Sequence, residues 1–139
     1  CGGPSPDGQR ADLFYRLAQP SEITRLIEED PYWLGKVWAG YTLRSFGQFV
    51  EPWELPPPAP DGSCIAVIVE GEATEPEMAT FALIELRGAG RLAFGGFLES
   101  QTTLALMKTG DSEEAIAWLA DTGFWKTESL TARPLLYVL

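Results

Sequence analysis

The sequence predicts an α+β fold assembled from two related halves, and three observations carry that prediction. Residues 64–139 read as strand, helix, strand, strand, helix, strand. Residues 12–22, DLFYRLAQPSE, lie without a gap over residues 103–113, TLALMKTGDSE, each a strand and turn leading into a Ser-Glu helix start. Between the halves, residues 51–63, EPWELPPPAPDGS, are too rich in proline for regular secondary structure and read as a stiff, extended linker.

Taken in order, ADLFYRLA (11–18) has strand character, and SEITRLIEEDPYW (21–33) predicts a helix with Ile23, Leu26 and Ile27 on one face. GYTLRSFGQFV (40–50) closes the first half as a strand. Past the linker, CIAVIVEG (64–71) is a buried strand, and EPEMATFALIELRGAG (75–90) is a helix with Pro76 in its first turn and a glycine stop at Gly88 to Gly90. RLAFGGFLES (91–100) and TTLALMKTG (102–110) form a strand pair. DSEEAIAWLADTGFW (111–125) is a helix with a capping box at Asp111 and Glu114, and ARPLLYVL (132–139) is the last strand. The repeat extends beyond the ungapped match. EEDPYW (28–33) answers LADTGFW (119–125), so Tyr32 and Trp33 correspond to Phe124 and Trp125. CGGPSPDG (1–8) falls on FGGFLES (94–100), which sets Cys1 at the end of a second strand. The first half, residues 1–50, is then the C-terminal half of a β-α-β-β-α-β unit, and residues 64–139 are a whole one.

Composition narrows the function classes. A chain of 139 residues, 45% hydrophobic and 12% aromatic, can bury a core without disulfide or metal staples. Its net charge of −10 opposes phosphate and anionic lipid, so neither nucleic acid nor a membrane surface is an expected partner. Two cysteines make no disulfide framework; a Cys1–Cys64 bridge is one outcome among several, and a reducing cytoplasm is the default. The longest apolar run, CIAVIV, falls far short of a membrane span. The absence of histidine excludes imidazole acid–base chemistry and His-ligated metals, and no cofactor or metal is expected.

Residues 64–139 have the element order of the ferredoxin-like split βαβ fold. EEDPYW followed by GKVWAGYTLRSF resembles the Asp-Pro-Phe helix end and closing strand of the YCII-related domains, which are similar to muconolactone isomerases and other dimeric α+β barrels. GRLAFGGF resembles the same family's strand ending in Ala-Gly-Pro. The resemblance implies ferredoxin-like repeats in tandem forming such a barrel, with the first repeat incomplete. It implies a small-molecule pocket and an acid–base His-Asp pair, of which only Asp30 carries over. The activity it implies is that of an isomerase, lyase or cyclase acting on a carbonyl-bearing metabolite. The alternative is a binding or scaffold protein that kept the barrel and lost the dyad.

Each candidate site residue has two readings. Asp30, before Pro31, is either a functional carboxylate or a helix terminator. Arg44 and Arg91 either clamp a substrate carboxylate or pair with surface acids. Tyr32, Trp33, Trp38, Tyr41, Trp118 and Trp125 line a pocket or belong to the core. Cys1 joins a thiol to an α-amine that can act as its base, in the manner of N-terminal nucleophiles. It also suits processing of a larger tandem protein, with cleavage before Cys1, the lipid anchor of a lipoprotein, or a simple truncation. A half unit exposes strand edges, so the expected filler is a second chain from the same precursor or a homodimer mate.

Overall fold

The computed structural model describes residues 2–7, 9–15, 19, 21–29, 40–42, 44–52 and 65–136. Cys1, Asp30, Tyr32, Trp33, Trp38, Cys64 and all but two residues of the predicted linker lie outside that set. Gly2–Pro4 (β1), Ala11–Leu13 (β2), the helix Glu22–Glu28 (α1) and Gly47–Val50 (β3) come from the first half. The second half contributes Ile65–Glu72 (β4), Pro76–Gly88 (α2), Leu92–Phe97 (β5), Thr102–Met107 (β6), Ser112–Ala120 (α3), a short 3-10 turn at Thr127–Ser129, and Thr131–Leu136 (β7). The fold is α+β. Five strands make one antiparallel sheet in the order β3-β5-β6-β4-β7, and β1 and β2 make a separate antiparallel pair.

The run IAVIV of β4 is wholly apolar because both faces of the strand are covered. Val67 and Val69 point to the helices and pack with Ala79, Leu83, Ala115 and Leu119; Ala66 and Ile68 point the other way and join Phe94, Leu104, Leu106 and Leu135. In β6 the same alternation sends Ala105 and Met107 to the helical side and Leu104 and Leu106 to the opposite side. Pro134 is tolerated because β7 is an edge strand in this order. At the other edge, β3 runs so close over Gly96 that a Cβ there would collide with the Gly47 carbonyl and the Gln48 Cα.

Helix α2 buries Ala79, Ala82, Leu83 and Leu86 at helical spacing. It ends as the glycines predict: Gly90 takes φ +78°, its N–H donates to Arg87 O at 3.0 Å, and the Arg91 N–H donates to Leu86 O at 2.9 Å, the two bonds of a Schellman cap. At α3 the Asp111 carboxylate accepts from the N–H groups of Glu113 (2.9 Å) and Glu114 (3.2 Å). The expected reciprocal bond is replaced, since the Asp111 N–H donates to Thr109 Oγ1 at 3.2 Å. That nearer hydroxyl needs no long side chain to fold back.

The first half is shorter in regular structure than its sequence suggests. Residues 40–42 and 44–46 are not strand; the regular part begins at Gly47, where pairing with β5 begins. The strand registers also differ from the ungapped match of residues 12–22 with 103–113. Gly2 lies opposite Leu13, whereas Gly95 lies opposite Ala105, so matching the two glycine pairs sets Leu13 against Ala105 rather than Leu104. A one-residue slip exchanges faces. With it, Phe14 corresponds to Leu106, and both residues face the side away from the helices. No helix among the described residues is long and apolar enough to cross a membrane.

Candidate functional site

The side of the large sheet away from the helices is covered in part by the β1–β2 pair, and the chemistry of the described residues gathers there. Phe14, just past β2, meets Phe94 edge-on with ring centroids 5.0 Å apart, and Phe46, just before β3, completes the cluster at 6.2 Å from Phe14 and 6.1 Å from Phe94. Such tilted and edge-to-face contacts suit the aromatic quadrupole. Beside this cluster the inward faces of β4 and β7 each turn polar. Glu70 follows Ala66 and Ile68 along its face of β4, and Arg133 stands opposite Ile68 on β7.

These two side chains begin a chain of ion pairs. Arg133 donates through Nη1 to Glu70 Oε2 and through Nε to Asp12 Oδ2 at 3.2 Å. Glu70 Oε1 accepts from Arg44 Nη1 at 2.7 Å, and Asp12 Oδ1 accepts from Arg10 Nη2 at 3.1 Å. The inner members are well covered, with Glu70, Asp12 and Arg133 side chains 14%, 17% and 23% exposed, while Arg44 and Arg10 at the ends are 46% and 57% exposed. Burial by itself would push the Glu70 carboxyl up, but hydrogen bonds from Arg133 and Arg44, with the charges behind them, outweigh it and hold the group below the ordinary glutamate value. Burial opposes the Arg133 charge, and its hydrogen bonds to Glu70 and Asp12 more than restore it. A carboxyl held down in this way accepts hydrogen bonds well and donates protons poorly near neutral pH.

Of the residues singled out from sequence, the structure brings Arg44 into this cluster and leaves Arg91 elsewhere. Arg91 sits 5.1 Å above the ring of Trp118, which packs against the core on the helical side. The two arginines therefore serve opposite faces of the sheet. Tyr41 is 49% exposed. Trp125 is core: it is 4% exposed, and its Nε1–H donates to Thr103 Oγ1 at 2.8 Å, itself bonded to the Gly71 carbonyl at 3.3 Å. Sequence reasoning missed Asp12, Glu70 and Arg133. Their one visible signal was a charge at an inward parity position of an otherwise apolar strand, as in IAVIVE and ARPLL. Among the described residues no group of three metal-ligating side chains is close enough to hold an ion. No family model, curated protein or solved structure matches this chain.

Proposed function

We propose that the chain forms an intramolecular counterpart of the dimeric α+β barrel, with residues 64–139 as one ferredoxin-like unit and residues 1–50 as part of another, and that its interior binds a small organic anion. Two sets of pairings support the barrel. Strands β4, β5, β6 and β7, the first to fourth of the second unit, lie in the order fourth-first-third-second, as a split βαβ sheet would. By the repeat, β1, β2 and β3 are the second, third and fourth strands of the first unit. β3 pairs with β5, a fourth strand with a second, and β1 packs beside β7, a second with a fourth. That reciprocity is what a pseudo-twofold axis requires.

The ligand class rests on one observation. Three guanidiniums are linked through two carboxylates beside an aromatic cluster, an excess of one positive charge in a chain whose net charge is −10. The apolar body of a ligand would lie against Phe14 and Phe46, with its carboxylate at Arg44, whose planar fork can serve a second acceptor beside Glu70. The resemblance to isomerases and lyases would put a carbonyl-bearing ligand through proton transfer at this face. With Glu70 held ionised and no histidine in the chain, that chemistry would fall to Asp30 or Cys1, so binding is the preferred reading.

Thermal-shift and calorimetric titration with benzoate and with its neutral partner benzamide tests the proposal. Benzoate should raise the Tm in a salt-sensitive manner, benzamide should not, and Arg44→Met should abolish the rise while leaving the fold intact. Equal responses to the two compounds, or an undiminished benzoate response in the variant, would return the cluster to a purely structural role.

A further inference from the structure

We infer that Glu70 is the specificity-determining residue of the anion site: it is an internal counter-anion that shares the Arg44 guanidinium with the ligand, weakens anion binding near neutral pH, and ceases to do so when it takes up a proton. The inference rests on the anion site proposed above and goes beyond it in naming what limits and regulates that site.

The Glu70 carboxylate bridges two guanidiniums. Oε1 accepts from Arg44 Nη1 at 2.7 Å, and Oε2 accepts from Arg133 Nη1. The two arginines differ in what remains to them. Arg133 is 23% exposed and also donates through Nε to Asp12, whereas Arg44 is 46% exposed and, among the described residues, is paired through Nη1 alone. The edge open to a ligand carboxylate is therefore on Arg44, on the same planar group that already holds Glu70. Two carboxylates on adjacent edges of one guanidinium share a single positive charge, and each then favours protonation of the other.

Among the described residues the charged groups bonded to Glu70 are those two arginines. Across the ladders it stands opposite Leu104 on β6 and Thr131 on β7, neither of which carries a charge. The nearest other carboxylates are already matched: Asp12 on β2 by Arg133 and Arg10, and Glu72, two residues along β4, by Lys126 at 2.9 Å. In the free chain, burial would raise the Glu70 carboxyl, but Arg133 and Arg44 outweigh it and hold the group below its ordinary value. A ligand anion on Arg44 draws on the same positive charge and pushes the carboxyl back up. Binding is then linked to proton uptake, and the coupling is reciprocal: a protonated Glu70 strengthens anion binding. Affinity should rise as the pH falls through the value that Glu70 has in the complex, and level off below the lower value of the free chain.

Benzenesulfonate is the probe, because it stays anionic through the acid range. Glu70→Gln removes the charge and keeps an amide oxygen that can accept from Arg44. In calorimetric titration at neutral pH the variant should bind about tenfold more tightly than the parent chain. Its Tm without ligand should nevertheless be lower. The opposite signs separate the two roles, since a residue that only builds the cluster would lower both. As the pH falls towards about 4, near the ordinary glutamate value, the gap should close because the parent approaches the variant. That comparison cancels the loss of negative charge common to both chains. If the variant does not fold, the parent carries the test: in mild acid, titration in two buffers of different ionisation enthalpy should give different heats, since the proton taken by Glu70 comes from the buffer. Equal or weaker binding in Glu70→Gln, a gap that persists in acid, or equal heats in the two buffers overturns the inference. The anion site is judged separately. If benzenesulfonate binds neither the parent nor Glu70→Gln, or binds Arg44→Met as tightly as the parent, the site has failed; if binding needs Arg44 yet does not tighten in Glu70→Gln, only the counter-anion has failed.

Discussion

Helices α1 and α3 begin from nearly the same sequence pattern, Ser-Glu followed by an apolar stripe, and end in different states. α3 is capped by Asp111 and buries Ala115 and Leu119; α1 has no side-chain cap at Ser21 and buries nothing. The strands before them differ in the same direction, three residues in β2 against six in β6. The cap differs in sequence, since Pro20 stands where the alignment has Asp111, but the apolar stripe is shared, so the difference in burial lies in neighbours. Between β5 and β4, β6 is supported on both edges, and α3 has a sheet to cover; among the described residues β2 pairs with β1 alone. A short helix owes its stability to the face that it buries, and without that face a good pattern yields only a turn or two of structure.

The widest gap between the halves should appear on truncating their helices. Leu119→Ala removes a fully buried side chain from the core and should cost about 2–5 kcal/mol in urea unfolding. Leu26→Ala, on the exposed stripe of α1, should change stability by no more than about 0.5 kcal/mol. Comparable losses would mean that α1 is docked as firmly as α3, and the contrast would collapse.

A smaller effect, about 1–3 kcal/mol, is expected where the halves are stitched together. Gly96→Ala puts a methyl group against the Gly47 carbonyl and should push β3 off the sheet edge. Exchange at Gly47–Val50 should then accelerate while that of β4 and β6 stays slow. Uniform acceleration across the large sheet would show instead that β3 is integral to the core.

Acid should loosen the other stitch. Because Glu70 is held below its ordinary value in the folded chain, its pairing stabilises the fold above the unfolded-state pKa, about 4.3, and that contribution drains away as the pH falls through the lower folded value. Docking of β1 and β2 should weaken over that acidic window. Glu70→Gln should cost about 1 kcal/mol at neutral pH and flatten the dependence there. An unaltered acid limb in the variant would transfer the effect to other carboxylates.

What could be read from sequence was what neighbours along the chain decide. The run CIAVIV announced a strand covered on both faces, Pro76 and Gly90 marked the two ends of α2, and Asp111 marked the start of α3. The ion-pair cluster was out of reach because it depends on which strands lie side by side. Glu70 and Arg133 are 63 residues apart, and Asp12 and Arg133 are 121 apart. No local spacing encodes that meeting. The ungapped match of residues 12–22 with 103–113 set Leu13 on Leu104, whereas the glycine registers set it against Ala105, since a glycine pair or a helix start fixes a strand's place without fixing its face.

The finest distinction separates the two arginines that looked equivalent in sequence. Arg44 joins the cluster on the interior side, whereas Arg91 stacks on Trp118 on the helical side, an interaction worth about 0.5–1 kcal/mol at a partly exposed site. Arg91→Met keeps most of the apolar contact with the indole and removes the charge. It should therefore lower stability by no more than that amount and leave the benzoate-induced rise in Tm unchanged. Arg44→Met should do the reverse, with little change in unfolding but no benzoate response. Since each variant removes one positive charge from the same acidic chain, a general electrostatic effect would weaken benzoate binding equally in both. Only a difference between them assigns the anion to the interior face.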